Sequence, residues 1–466
     1  MATTPSLNPS GPPGFARLPV VVAGGGIAGI AAAEALRSLG ADVTVVDVKQ
    51  LPARPGLRTA VDDGRLPVGT RLVVASPGWR PDAPLLVAAA TADVPVWGEV
   101  EFAWRIRPPG QDWLGVTGTN GKTTTTGMLA SILAAAGLRS AAAGNIGTPI
   151  TETVRARPPY QVLAVELSSF QLHGTATIDP VAAAVLNIAG DHLDWHGSMA
   201  NYTAAKARIF GPATVAIFDA DDPGARSLVA ERPGAIGVTR SAPADGMLGV
   251  SGGVLVDRAR GGGEILPVAE LPVPGPHNVT NALAAAALAR AYGIEPAAVA
   301  GGLRSFVPGP HRLSVVGKVS GITFVDDSKG TNPHATAAAL RAFPEAVWIA
   351  GGLAKGATFD ALVREHAQRL RGAVLIGTCA PQLEEALARH AAHVPVIRAS
   401  DLDNAVREAA GLAPAGGVVL MSPAAASMDM FDNYEHRGEA FAAAVRALAH
   451  GASASSSSDP TPEVKS

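Results

Sequence analysis

The chain has 466 residues, 47% of them hydrophobic, enough apolar material for two or three separately cored domains. A formal charge of -3 excludes a basic field for nucleic acid or an anionic membrane surface, and a single cysteine, Cys379, excludes a disulfide framework or a cysteine-built metal centre. Every apolar stretch is cut by Asp, Arg, Gly or Pro before reaching spanning length, so the sequence predicts a soluble cytoplasmic protein with no membrane insertion and no nucleic-acid partner.

Residues 1–17 are rich in Pro and Gly, and 451–466 are rich in Ser; both read as disordered. Between them, short apolar strands alternate with Ala-rich helices: a strand over 18–23, a helix over 27–39, a strand over 43–46, then strands over 72–75 and 94–96. That alternation predicts βαβ units and parallel sheets. Gly24-Gly25-Gly26-Ile27-Ala28-Gly29 places glycines at the G-x-G-x-x-G spacing after the first strand, and Asp47 closes the next strand. An acidic residue there suits a ribose, although tight strand–helix packing alone also produces such turns.

A linker at Pro108-Pro109-Gly110 precedes the most informative stretch, Gly115-Val116-Thr117-Gly118-Thr119-Asn120-Gly121-Lys122-Thr123-Thr124. It lies between a predicted strand and a predicted helix, so its backbone N–H groups and the positive helix end face an anion. Lys122 can neutralise phosphate oxygens, and Thr123 can place its hydroxyl on Mg2+. Val116 stands where the strict Walker pattern has glycine.

Downstream, a strand over 162–166 ends in Glu166, where an α/β sheet places its ligands and where an oxygen donor suits Mg2+. A strand over 181–188 ends in Gly190-Asp191-His192-Leu193-Asp194-Trp195-His196; spacing alone does not choose between His192 and His196 for a catalytic or metal role. Gly275-Pro276-His277-Asn278-Val279-Thr280-Asn281 opens a helix with two amides that serve either as caps or as base-reading groups. A second linker, Pro308-Gly309-Pro310, leads to loops carrying Arg312, Lys329 and Lys355, cations that fit anionic substrates. The predicted organisation is 18–107, 108–308 and 309–450, three α/β domains.

Taken in order, Thr117–Thr123, Gly144-Asn145-Ile146-Gly147, Glu166-Leu167-Ser168-Ser169-Phe170-Gln171, Asp191-His192-Leu193-Asp194, His277-Asn278-Val279-Thr280-Asn281, Pro310-His311-Arg312 and Asp327-Ser328-Lys329 resemble the motifs of the Mur ligase family, the ATP-dependent amide-forming enzymes of peptidoglycan precursor synthesis. Ser76-Pro77-Gly78, Ser422-Pro423-Ala424-Ala425-Ala426-Ser427-Met428-Asp429-Met430-Phe431 and the N-terminal glycine turn resemble the D-glutamate-adding branch.

The resemblance implies a Rossmann-like UDP-binding domain, a central P-loop ATPase domain with a mostly parallel sheet, and a Rossmann-like C-terminal domain that takes the amino acid. It implies UDP-N-acetylmuramoyl-L-alanine and D-glutamate as substrates, ATP and two Mg2+ ions, and a monomer. Residue by residue, it assigns Gly118, Thr119, Asn120, Gly121, Lys122, Thr123 and Thr124 to the ATP phosphates, and Asn278, Asn281, Arg312, Asp327 and Lys329 to the base and ribose. Thr123 and Glu166 would hold one ion; His192 and a carbamylated Lys206 would hold the second, making Lys122, Glu166, His192 and Lys206 the catalytic set. Ile27, Ala28, Asp47 and Ser76 would meet the uridine end. Asn145, Ser168 and Gln171 would line the muramoyl-alanine end, and Thr331, Lys355, Ser427, Met428 and Tyr434 would hold D-glutamate. Gly330, Ala425, Met428 and Tyr434 depart from the residues usual in the family. A P-loop switch and a related ligase are the competing readings; a switch leaves the C-terminal cations unused, and a dehydrogenase leaves the phosphate loop unexplained.

Overall fold

The computed structural model describes residues 14–229, 232–261, 263–273 and 275–456. Two compact units result: one holds the residues before Asp191 together with Trp195–Val307, the other Asp191–Asp194 and the residues from Pro308 on.

The first unit contains two sheets. The N-terminal sheet is parallel, in the order Arg58–Val61, Asp42–Asp47, Pro19–Ala23, Leu72–Ala75, Val96–Gly98. Its central strand begins the chain and neighbouring strands extend both ways, which puts a crevice at the carboxyl end of Pro19–Ala23. The helix Ile27–Ser38 follows that strand at once.

Among the described residues the second sheet has nine strands, and Asp112–Thr117 lies between Val162–Glu166 and Ala182–Val185. Among the described residues Val254–Asp257 pairs antiparallel with Met247–Ser251 and with Glu264–Pro267, and the other pairs are parallel. Continuous apolar runs such as Val162-Leu163-Ala164-Val165 are buried throughout, as strands covered on both faces must be. The helices Lys122–Ala135 and Pro276–Ala291 cover one face, and the second is buried almost all round because alanine lets backbones approach closely.

In the second unit, six strands run Ser314–Val319, Ile322–Asp326, Val418–Met421, Ala346–Gly351, Leu370–Ile376, Val396–Arg398, antiparallel only in the first pair.

Order begins earlier than the composition suggests. Phe15 is buried and meets Phe102 edge-on with ring centroids 5.7 Å apart, and Arg17 N donates to Gly40 O at 2.7 Å. Among residues 14–17, the described part of the stretch read as disordered, this aromatic side chain is packed. Residues 1–13 and 457–466 lie outside the described residues. The last helix, Tyr434–Ser456, runs past position 450 because alanine and serine continue it. The helix opened by the 275–281 stretch starts at Pro276, whose fixed φ suits a first helical position, so Asn278 and Asn281 lie inside it.

Candidate active site

The phosphate loop is set by its own strand and the next one. Thr119 N donates to Asn187 O at 2.9 Å, Asn120 N donates to Asn187 Oδ1 at 2.8 Å, and Asn187 Nδ2 returns a bond to Asn120 O at 3.2 Å. Thr119 Oγ1 lies 2.9 Å from Tyr202 Oη. Gly121 caps the helix Lys122–Ala135 in the left-handed region (φ 84°), and a Cβ there would lie 2.4 Å from Asn281 Oδ1, so only glycine fits. Asn281 therefore braces the loop: its Oδ1 accepts from Thr125 Oγ1 at 3.3 Å and its Nδ2 donates to Asn278 Oδ1 at 3.1 Å.

Lys122 Nζ folds back to donate to Gly118 O at 3.0 Å and Thr119 O at 2.9 Å. Lys206 is buried, donates to Gly118 O at 2.7 Å, and sits 4.7 Å from the centre of the Tyr202 ring. Two ammonium groups thus converge on one loop.

Glu166 pairs in register with Val116, which sets its carboxylate beside the start of the loop. It is 1% exposed; Oε1 accepts from Asn145 Nδ2 at 2.9 Å, while Oε2 is buried with no hydrogen-bond partner among the described residues. An orphaned buried carboxylate oxygen beside a phosphate loop fits a divalent cation, with Thr123 at the same helix start. Among the described residues no three His, Cys, Asp or Glu side chains are grouped to hold a metal. The donors for a second ion fit less directly, because Lys206 as an ammonium donates and becomes an oxygen ligand only as its carbamate.

Ser168 and Gln171 do something the sequence reading missed. They form a reciprocal capping box, Ser168 N donating to Gln171 Oε1 at 2.9 Å and Gln171 N to Ser168 Oγ at 3.2 Å. His196 is also structural: its Nε2 lies 2.9 Å from Ser169 Oγ, and its ring stacks on Phe170. His192 has φ 53°; its backbone N–H donates to Asp191 Oδ1 at 3.0 Å, and its Nε2 lies 3.6 Å from Asp191 Oδ2.

At the N-terminal sheet, Asp47 Oδ2 accepts from Gly25 N at 2.6 Å and its Oδ1 from Lys49 N at 3.1 Å, so the carboxylate holds the glycine turn. Ser76 Oγ reaches Gly24 O at 3.5 Å, and Ile27, 81% exposed, projects an apolar side chain at the same crevice, with Ala28 beside it.

In the second unit, buried Arg437 ties three loops together. Its Nε donates to Ser328 Oγ at 3.0 Å, one terminal nitrogen to Ser328 O at 2.8 Å, and the other to Ala425 O at 3.1 Å and Gly351 O at 3.5 Å. Lys329 Nζ donates to Tyr434 Oη at 3.0 Å, and Ser328 Oγ to Tyr434 O at 2.8 Å. Ser427 is buried, Met428 is exposed, Lys355 is exposed with φ 48°, and Thr331 N donates to Lys329 O at 2.9 Å.

Comparison with known proteins settles the kinship. The chain is 55% identical to the UDP-N-acetylmuramoylalanine–D-glutamate ligase of Frankia casuarinae, over 93% of this chain and 95% of that one. The chain belongs to the Mur ligase family. The Mur ligase middle domain matches residues 116–289, and the Mur ligase glutamate ligase domain matches 311–425. Residues 4–55 match the C-terminal domain of alanine dehydrogenase/PNT. The ligase of the same description from Streptomyces avermitilis is 53% identical, over 92% of this chain and 98% of that one. The UDP-N-acetylmuramate-alanine ligase structure from Thermotoga maritima shares the fold, with a TM-score of 0.58 at 20% identity, covering 92% of this chain and 99% of that one.

Within this Mur ligase, two departures from the family pattern have physical consequences. A Cβ at Gly330 would lie 2.6 Å from Ser422 Oγ and 2.7 Å from Asp327 Oδ2, so glycine relieves crowding between those two side chains. Tyr434 adds a hydroxyl that accepts from Lys329, which phenylalanine could not.

Burial pushes the Asp327 carboxyl up to about 7, against the lowering pull of the Ser422 hydroxyl, 2.6 Å away, and of the Arg312 guanidinium. Between the ordinary carboxylate range and pH 7 the folded chain therefore holds a proton that the unfolded chain has lost. Stability falls with rising pH there, by roughly 1.4 kcal/mol per pH unit at most. Asp327→Asn cannot ionise. Its melting temperature relative to the parent should climb from pH 5 to pH 8.5 in scanning calorimetry; a difference independent of pH would refute the shift.

Proposed function

We propose that this chain joins the amino group of D-glutamate to the carboxylate of UDP-N-acetylmuramoyl-L-alanine, forming ADP and phosphate, as a cytoplasmic monomer in peptidoglycan precursor synthesis. The observation that carries this reading is near-full-length identity of 55% to a ligase described by that reaction. The local chemistry supports it: a phosphate loop that carries Lys122, a buried carboxylate with one oxygen lacking a partner among the described residues, and a C-terminal unit whose loops bear Arg312, Lys329 and Lys355. Among the described residues no helix is long and apolar enough to cross a membrane. The domain limits 18–107, 108–308 and 309–450 belong to the same reading.

In the proposed reaction an oxygen of the substrate carboxylate bonds to the γ-phosphorus of ATP, and the bond from that phosphorus to the β-bridging oxygen breaks. The amine nitrogen of D-glutamate then bonds to the acyl carbon, the carbon–oxygen bond to phosphate breaks, and the proton the nitrogen gives up ends on the departing phosphate. Lys122 exchanges the Gly118 and Thr119 carbonyls for phosphate oxygens, so charge repulsion between a carboxylate and a polyphosphate falls as they approach. Gly118 to Thr124 cradle the phosphates through backbone N–H groups other than those of Thr119 and Asn120, which Asn187 holds. Thr123 and Glu166 would hold a Mg2+ ion, and His192 with carbamylated Lys206 a second; bound there, the metal supplies positive charge to phosphate oxygens. The resemblance assigns Asn278 and Asn281 of the first unit, and Arg312, Asp327 and Lys329 of the second, to the base and ribose. Ile27, Ala28, Asp47 and Ser76 take the uridine end, Asn145, Ser168 and Gln171 the muramoyl-alanine end, and Thr331, Lys355, Ser427, Met428 and Tyr434 the D-glutamate.

The test is phosphate release from ATP with UDP-N-acetylmuramoyl-L-alanine and a panel of D- and L-amino acids. Release should depend on D-glutamate. Release with a different amino acid or acceptor discards the substrate assignment, and no release under any pairing discards the ligase reading.

A further inference from the structure

Two buried carboxylates in the first unit belong to none of the site elements above. Glu99 is 2% exposed and Glu101 is fully buried, both on the helix Glu99–Ile106 that leaves the last strand of the N-terminal sheet. Buried carboxylates are costly unless they are hydrogen-bonded, and here most of the partners come from the central domain. Glu99 Oε1 accepts from Thr151 N at 3.0 Å and Thr151 Oγ1 at 2.6 Å. Glu101 Oε2 accepts from Ala176 N at 2.8 Å and Thr177 N at 3.0 Å; its Oε1 accepts from Thr177 Oγ1 at 2.6 Å and from Arg105 Nε at 2.7 Å. Burial opposes ionisation of Glu101, but these donors outweigh it and hold its carboxyl below the usual range.

The backbones lock as well. Gly98 N donates to Gly174 O at 2.8 Å, and a Cβ on Gly174 would lie 2.9 Å from Gly98 Cα. Gly174 ends the helix Ser169–His173, whose other end is the capping box two residues after Glu166. A second tie, from Arg155 to Ser38 Oγ at 2.7 Å, joins the end of the first helix to the same side of the central domain. The joint therefore connects the sheet bearing the Gly24–Gly29 turn to the short helix next to Glu166.

We propose that Glu99 and Glu101 are positioning residues: they fix the span between the glycine turn and the Glu166 end of the central sheet, so that an acceptor gripped at its nucleotide end is held with its carboxylate at the phosphate loop. The inference rests on the proposed function, which makes the acceptor a bipartite molecule. A ligand held at two points gains from a rigid spacing between them, whereas a ligand touching one side gains nothing.

The test is a ratio of affinities in Glu101→Gln, which keeps the side-chain shape but turns an amide toward N–H donors. Calorimetry should show UDP-N-acetylmuramoyl-L-alanine binding about tenfold more weakly than to the parent, with UDP alone changed less than about twofold. KM for ATP and for D-glutamate should stay within about twofold as well, a split that general loss of structure does not give. Thr177→Val removes one donor to Glu101 and should shift the same ratio by about threefold, which keeps the test open if the first variant does not fold. An unchanged ratio, or equal weakening of UDP and the whole acceptor, overturns the inference alone. Failure of the parent protein to bind the acceptor overturns the functional reading and this inference with it.

Discussion

Glu166→Gln is expected to cut D-glutamate-dependent phosphate release by about 10²–10³-fold, while the melting temperature holds or rises. The two readouts move apart because of where the carboxylate sits. Glu166 is buried at the carboxyl end of a central strand, with one oxygen satisfied by Asn145 and the other by nothing among the described residues. Leaving a charged acceptor atom dry costs folding free energy, on the order of 1–3 kcal/mol for the missing partner. The amide keeps the oxygen that Asn145 uses and removes the charge, so the fold loses a burden. The reaction loses an anionic oxygen beside Val116, where the phosphate loop begins. Steady-state phosphate release and scanning calorimetry on the same preparation check both halves. Full activity in the variant would remove Glu166 from the site, and a large fall in melting temperature would show that its role is structural.

The order of elements was legible because its signals are local. Continuous apolar runs ending in glycine or an acid mark buried parallel strands, and the strand 162–166 lies where it was expected. The phosphate loop is legible for the same reason: strand, glycines, Lys122 and helix are contiguous. Side-chain partnerships across the chain are another matter. Ser168 and Gln171 read as substrate groups in the family pattern, yet their spacing is also that of a capping box, and the structure shows that box formed. Asn187 locks the loop from 67 residues away, with no motif to announce it. Glu99 and Glu101 look like the exposed acids of a first helical turn, and only the packing of Thr151, Ala176 and Thr177 reveals that both are buried. Phe15 shows the converse, since it is buried against Phe102 although it lies in a stretch whose composition reads as disordered.

Arg437 is the largest omission from the sequence reading, and its loss should be the most damaging change in the second unit. It lies on the final helix, 1% exposed, with nothing in its neighbourhood of Tyr434, Glu435 and His436 to separate it from a solvated helical arginine. Burial lowers its pKa to about 10, opposed by the nearby Asp429, Asp326, Cys379 and Asp327, so it stays charged at neutral pH. Its planar donors serve Ser328, Gly351 and Ala425 together, a fan that the single ammonium of lysine cannot reproduce. Arg437→Ala leaves three carbonyl oxygens short of a donor and opens a cavity, which should cost roughly 3–5 kcal/mol in denaturant unfolding of the second unit. Arg437→Met fills the space without the donors and separates the two contributions. Because Ser328 precedes Lys329, and Ala425 belongs to the loop that carries Ser427, the methionine variant should raise KM for D-glutamate at least about tenfold. KM for UDP-N-acetylmuramoyl-L-alanine should change little, because its proposed contacts lie in the first unit. Equal increases in both constants would show that Arg437 supports the fold at large, with no particular hold on the amino-acid loops.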